Sequence, residues 1–158
     1  GAHGELTALM VAAAYFDDRA ADWRVQLDPY LRKIESMRAN AGDQRIAATE
    51  SVFEPMATAL GLTDVTPEGF RNAAANESEP SPADMFAFRE KLDDRFIDVL
   101  IVNTQTEGPV PEQLRGAARD AGVPVVEVTE TMPAGATSFV DWQLRQLEQL
   151  ESALAESR

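Results

Sequence analysis

Carboxylates are the side chains that this sequence repeats in a pattern able to do chemistry. Three apolar runs each break into polar residues and reach a glutamate. They are Ile46-Ala47-Ala48-Thr49-Glu50, Val99 to Glu107 through Asn103 and Gln105, and Val125-Val126-Glu127-Val128-Thr129-Glu130. Two of the three close on the same Thr-Glu pair, at 49–50 and 129–130. Two glutamates on neighbouring strand ends suit general acid–base work, or ligation of a divalent cation through oxygen. Carboxylate with imidazole suits manganese, iron or zinc, whereas carboxylate alone leans to calcium, magnesium or manganese. The plainer reading is that Thr and Glu are common where a strand meets water, and that an acid at a strand-to-helix junction is a cap. Two ligands do not complete a coordination sphere.

What is missing narrows the chemistry. Neither Gly-x-x-x-x-Gly-Lys nor Gly-x-Gly-x-x-Gly occurs, which argues against a nucleotide enzyme. One histidine, His3, and no cysteine leave no expected Ser-His-Asp or Cys-His device, and also exclude disulfides and thiolate zinc sites. No enzyme activity is expected. The chain is acidic, with 27 Asp+Glu against 14 Lys+Arg and a net charge of −13. Such a field repels nucleic acid and anionic membranes, so no nucleic-acid partner is expected. No apolar run approaches the roughly 18 residues of a membrane span. The opening Gly1-Ala2-His3-Gly4 has neither a basic flank nor an apolar core, so no signal peptide is read there.

The elements that must position the glutamates follow from short apolar runs bounded by turns, which read as buried parallel strands. In an open parallel sheet, ligands bind beyond the strand C-termini, which makes this edge the expected working face. Helix is predicted over Glu5–Phe16 and again over about Arg19–Ala39. Asp17-Asp18 would cap the second helix, and Pro29 would kink or restart it. Strands are predicted at Arg45–Thr49, near Val65, at Phe96–Val102 and at Val123–Val128. Short helices are expected over Val52–Leu60 and Glu112–Ala121, and Thr66 to Pro82 reads as a long loop. Ser81-Pro82-Ala83-Asp84 is a helix start, with Ser as cap, Pro at the first position and an acid in the first turn. A final helix follows Thr137 or Ser138, carrying Val140, Leu144, Leu147, Leu150 and Leu154. Trp23 and Trp142 read as packing residues. Strand–helix alternation gives an α/β class: one three-layer α/β/α lobe with a mainly parallel sheet of about four strands, preceded by a long helix. Residues 1–40 form the N-terminal helical part and 41–158 the lobe.

Several of these segments, in this order, resemble the C-terminal half of the zinc/manganese class of metal-binding solute receptors of ABC transporters. Thr49-Glu50-Ser51-Val52-Phe53 followed by Ala59-Leu60-Gly61-Leu62 is similar to that family's strand–ligand–helix stretch. Glu79-Pro80-Ser81-Pro82-Ala83-Asp84 resembles its Glu-Pro-(Ser/Thr)-Pro-x-(Asp/Glu) helix opening, and Val99 to Gln105 its Val-Leu-x-x-Asn-x-Gln strand. Gly122 to Val126 with Thr129-Glu130 resembles the strand that ends in the last metal ligand, and Trp142 to Leu147 the closing helix. The resemblance runs from about Ala20 to the end.

It implies an extracytoplasmic protein, in the periplasm or anchored at the cell surface. Such a protein captures a divalent transition metal (zinc or manganese before iron) and passes it to an ABC membrane permease. Glu50 stands where the family has a His or Glu ligand, and Glu130 where it has a carboxylate ligand. The Arg19–Ala39 helix resembles the spine between two lobes. The two histidine ligands of the other lobe have no counterpart, and His3 lies too close to the spine to replace one. The N-terminal lobe is therefore an expected missing partner, and metal binding by this half alone is expected to be weak. The alternative is a non-catalytic interaction domain of the same fold without metal capture.

Overall fold

In the computed structural model, residues 2–157 are described, with side chains from residue 13 onward. The order is α1 (Ala2–Asn40), β1 (Arg45–Ala48), a 3₁₀ turn (Ser51–Phe53), α2 (Glu54–Leu60), β2 (Thr63–Asp64), α3 (Glu68–Ala75), α4 (Pro82–Asp93), β3 (Val99–Asn103), α5 (Pro109–Ala121), β4 (Val125–Val128) and α6 (Phe139–Glu156). The four strands are all parallel, in the order β2-β1-β3-β4.

Side chains alternate across a strand, so each run feeds two cores. Ile46, Ala48, Val99, Ile101, Val126 and Val128 pack on the face covered by α1, α2 and α6. Ala47, Leu100, Val102 and Val125 pack on the other, with Phe70, Phe88, Leu92 and Leu114 from α3, α4 and α5. That is the expected three-layer lobe. A strand buried on both faces reads as an unbroken apolar run, and all five residues of β3 are buried.

The two helices expected before the sheet are one. α1 runs unbroken through Asp17-Asp18 and through Pro29. Asp28, just before the proline, pairs with Arg32 one turn on, at 2.7 Å. A proline removes one backbone donor, and the surrounding helix continues past it. The second half of α1 is seated. Met37 is buried, and Tyr30 and Ile34 pack against the core, whereas every side chain from 13 to 26 is exposed.

Three further expectations change. The stretch read as a long loop contains α3, whose Phe70 and Ala73 are buried; few apolar residues carry it, and the surrounding prolines mask them. The helix expected from Glu112 starts at Pro109, with Pro109 and Pro111 in the first turn of α5, where missing amide hydrogens have no partner to lose. Strand pairing at residues 63–64 precedes Val65, whose amide still donates to the Ile46 carbonyl at 2.8 Å. The α4 start is as read: Ser81 Oγ accepts from the Asp84 amide and the Asp84 carboxylate accepts from the Ser81 amide, a full capping box. Ser138 caps α6 through the Asp141 amide. Trp23 is more exposed than a core residue, at 46%, and Trp142 is half-buried.

Candidate functional site

Because the strands are parallel, β1, β3 and β4 all release their chains at one edge of the sheet. The ladder runs one residue further on two of them. The Thr49 amide donates to the Ile101 carbonyl and the Thr104 amide to the Val128 carbonyl, each at 3.0 Å. The next residues after β1 and β4 are the two Thr-Glu pairs.

Glu50 is extended (φ −151°, ψ 164°), directly before the 3₁₀ turn, and its carboxylate does not cap that turn. It accepts instead from Asn103 Nδ2 at 2.8 Å. Asn103 is the last residue of β3 and is buried. Its Oδ1 accepts from the Gln105 amide at 3.0 Å, so the backbone fixes which end of the side-chain amide faces the carboxylate. One oxygen of Glu50 is thus oriented by a buried donor.

Glu130 is held differently. Gln105 Oε1 accepts from the amides of both Glu130 and Thr131 at 2.9 Å, and Gln105 Nε2 donates to Thr131 Oγ1 at 2.6 Å. On the other side, Gln146 Oε1 accepts from the Thr129 amide at 2.7 Å and Trp142 Nε1 donates to Thr129 Oγ1 at 2.9 Å. The backbone at 129–131 is fixed by two side chains, Gln105 and Gln146, and the Thr129 hydroxyl by a third, while the Glu130 side chain stays exposed. Asn103 and Gln105 stand out in the sequence as polar residues where the Val99–Val102 run ends. Gln146 and the indole N–H do not, although their i,i+4 spacing on α6 puts them on one face.

Both glutamates line one cleft of about 610 Å³, together with Thr49, Phe70, Glu77, Glu79 and Glu107. Among the described residues, no lysine or arginine lines it. In one respect the expected geometry is corrected. Glu50 and Glu130 do not leave neighbouring strands, because β3 lies between β1 and β4 and places Asn103 between them. Thr49 and Thr129, the twins of the sequence echo, also differ. Thr129 accepts from Trp142, whereas the buried Thr49 hydroxyl has no hydrogen-bond partner. Among the described residues, no three of His, Cys, Asp and Glu group as a metal site, and His3 lies outside the described side chains.

A model of the family "Zinc-uptake complex component A periplasmic" matches residues 5–153. The chain belongs to this family. The match starts well before Ala20 and takes in most of α1. Solved structures share the fold. The periplasmic zinc binding protein TroA from Treponema pallidum is 22% identical with a TM-score of 0.62, over 88% of this chain and 52% of TroA. The solute-binding protein FpvC from Pseudomonas aeruginosa, solved with Mn²⁺, is 17% identical with a TM-score of 0.54, over 83% and 50%. A Zn(II)-bound variant of AdcAII from Streptococcus pneumoniae is 17% identical with a TM-score of 0.53, over 83% and 46%. The chain therefore spans about half the length of these proteins. No curated protein sequence matches. No described helix is long and apolar enough to cross a membrane.

Proposed function

We propose that this chain is the C-terminal lobe of an extracytoplasmic receptor that captures a divalent transition-metal ion, zinc or manganese before iron, for import through an ABC permease. The cation is cargo, and no catalysis is assigned. Glu50 and Glu130 are its ligands from this lobe. The observation that carries the reading is that both carboxylates line one cleft at the strand C-termini, in a family of metal-uptake receptors. Asn103 holds one Glu50 oxygen, which leaves the other for the cation, and Gln105 sets the backbone that carries Glu130. Ligand orientation of this kind by outer hydrogen bonds is a general feature of metal sites.

In this reading residues 1–40 are the helical arm and 41–158 the lobe, and α1 is the spine to an N-terminal lobe that supplies the remaining ligands. The exposed side chains from 13 to 26 support that assignment, since this part of the helix leaves surface open for another lobe. A second reading, an interaction domain of the same fold without metal capture, is favoured by the lack of a three-ligand group among the described residues. Calorimetric titration with Mn²⁺ and Zn²⁺ separates the two. The metal reading expects weak binding by the parent, reduced at least tenfold by Glu50→Ala and by Glu130→Ala. Equal binding by all three proteins would leave the interaction-domain reading standing.

A further inference from the structure

The contacts around Glu130 do not end at the strand. Trp142 Nε1 reaches Thr129 Oγ1, and the Trp142 ring meets Phe139 edge-on at 5.8 Å between centroids. Phe139 in turn meets two rings of α1, Trp23 at 6.2 Å and Tyr30 at 6.1 Å. Trp23 and Tyr30 are seven residues apart, two turns on one helix face, and Phe139 and Trp142 share a face of the first turn of α6. A continuous row of packed rings thus leads from α1 to the residue before Glu130. At its far end there is little slack, because Thr129 is pinned at its hydroxyl by Trp142 and at its amide by Gln146, and the amides of Glu130 and Thr131 are pinned by Gln105.

We propose that α1 sets the position of the Glu130 carboxylate through Phe139, Trp142 and Thr129, with Trp142 as the positioning residue. The importance of Glu130 in this coupling rests on the metal reading above; the mechanical link does not. A half-buried indole takes an acceptor for its N–H, and here that acceptor is the hydroxyl at the strand end. Rotation or translation of α1 against α6 moves Phe139 and then the indole, and the hydrogen bond carries the displacement to the strand end. The coupling works in both directions, as any equilibrium coupling must. Whatever engages Glu130 is felt along α1, whose side chains from 13 to 26 are exposed. Packed rings and hydrogen bonds with defined partners provide the contiguous physical path that such a claim needs.

The test uses the metal-free 158-residue chain labelled with ¹⁵N. Trp23 is 46% exposed, so Trp23→Ala leaves the core intact. That variant is expected to shift the Trp142 indole N–H and the Glu130 amide resonances. In a Trp142→Phe background, which keeps a ring and loses the donor, Trp23→Ala is expected to leave the Glu130 amide where Trp142→Phe alone puts it. Unmoved Trp142 and Glu130 signals in Trp23→Ala would overturn the proposal, as would an undiminished shift of Glu130 in the Trp142→Phe background. Thr129→Val, which removes the acceptor, is expected to match Trp142→Phe; a Glu130 amide left at its parent position in Thr129→Val also overturns it. Mn²⁺ titration adds a functional arm: in a parent that binds, Trp142→Phe weakens affinity about tenfold, and an unchanged affinity counts against the positioning role. A parent that binds no Mn²⁺ sinks the metal reading while the resonance shifts still decide the link.

Discussion

Asn103→Asp is a near-isosteric change with a large expected effect. Asn103 is 2% exposed, its Nδ2 donates to Glu50 at 2.8 Å, and its Oδ1 accepts from the Gln105 amide. The substitution keeps the acceptor and turns the donor into an oxygen facing a carboxylate. A hydrogen bond to a charged group contributes about 1.5–3 kcal/mol, and an unpaired buried charge adds to the loss, so about 2–4 kcal/mol is expected at pH 7.5. For a chain of this size that corresponds to a melting point lower by roughly 4 to 16 °C. The sign with pH is definite. The introduced carboxyl is buried and faces a like charge, so its folded pKa is raised above the ordinary value of about 3.9. Its penalty is full when it is ionised and shrinks as pH falls through the raised value, because one shared proton restores a donor. Urea denaturation of parent and variant at pH 7.5 and pH 5 measures this. A destabilisation under 0.5 kcal/mol at pH 7.5, or one of the same size at both pH values, would refute the role given to Asn103.

Three other changes test the scaffold. A methyl group on Gly69 would sit 1.9 Å from Asp84 Oδ1, so Gly69→Ala must displace the acid of the α4 capping box. A loss of about 1 kcal/mol, with faster amide exchange in the first turn of α4, is expected, and an unchanged exchange pattern would mean that the box yields freely. Leu100, fully buried on the α4–α5 side of the sheet, should cost about 2–5 kcal/mol as Leu100→Ala, read by denaturant midpoint. Asp141 at the start of α6 has its pKa lowered, chiefly by the Thr137 amide, with the Thr137 side chain and Arg145 adding to it. A lowered folded pKa means stability that is present above the ordinary carboxylate range and is lost as pH falls through the lowered value. Asp141→Asn should therefore flatten the fall in melting point below about pH 4, and parallel curves for the two proteins would contradict it.

The sheet was legible in the sequence because a doubly buried parallel strand writes itself as an apolar run. Ile46–Ala48 and Val99–Val102 do so, whereas the edge strand β4 keeps Val125, Val126 and Val128 but exposes Glu127. The capping box at Ser81 and the Ser138 cap were legible for the same local reason. α3 was hidden because only Phe70 and Ala73 of its eight residues are buried, among prolines that signal loop. The continuity of α1 was hidden because Asp17-Asp18 reads as the cap of a new helix and Pro29 as a break. Strand order was the other blind spot. Local pattern places Glu50 and Glu130 at strand ends, but nothing local says that β3 threads between β1 and β4. That long-range choice turns the imagined facing pair into two carboxylates flanking Asn103, and brings Gln146 and Trp142 of α6 against the last strand end.

The most direct test of the central claim is a titration of the ¹⁵N-labelled chain with paramagnetic Mn²⁺, followed residue by residue. The account predicts that signals of Glu50, Glu130 and the Asn103 side-chain amide broaden first and together, at the lowest Mn²⁺ concentrations. Broadening that begins instead at acids elsewhere, such as Glu127, Glu148 and Glu156 beside β4 and α6, or that spreads evenly over the acidic surface, would contradict it.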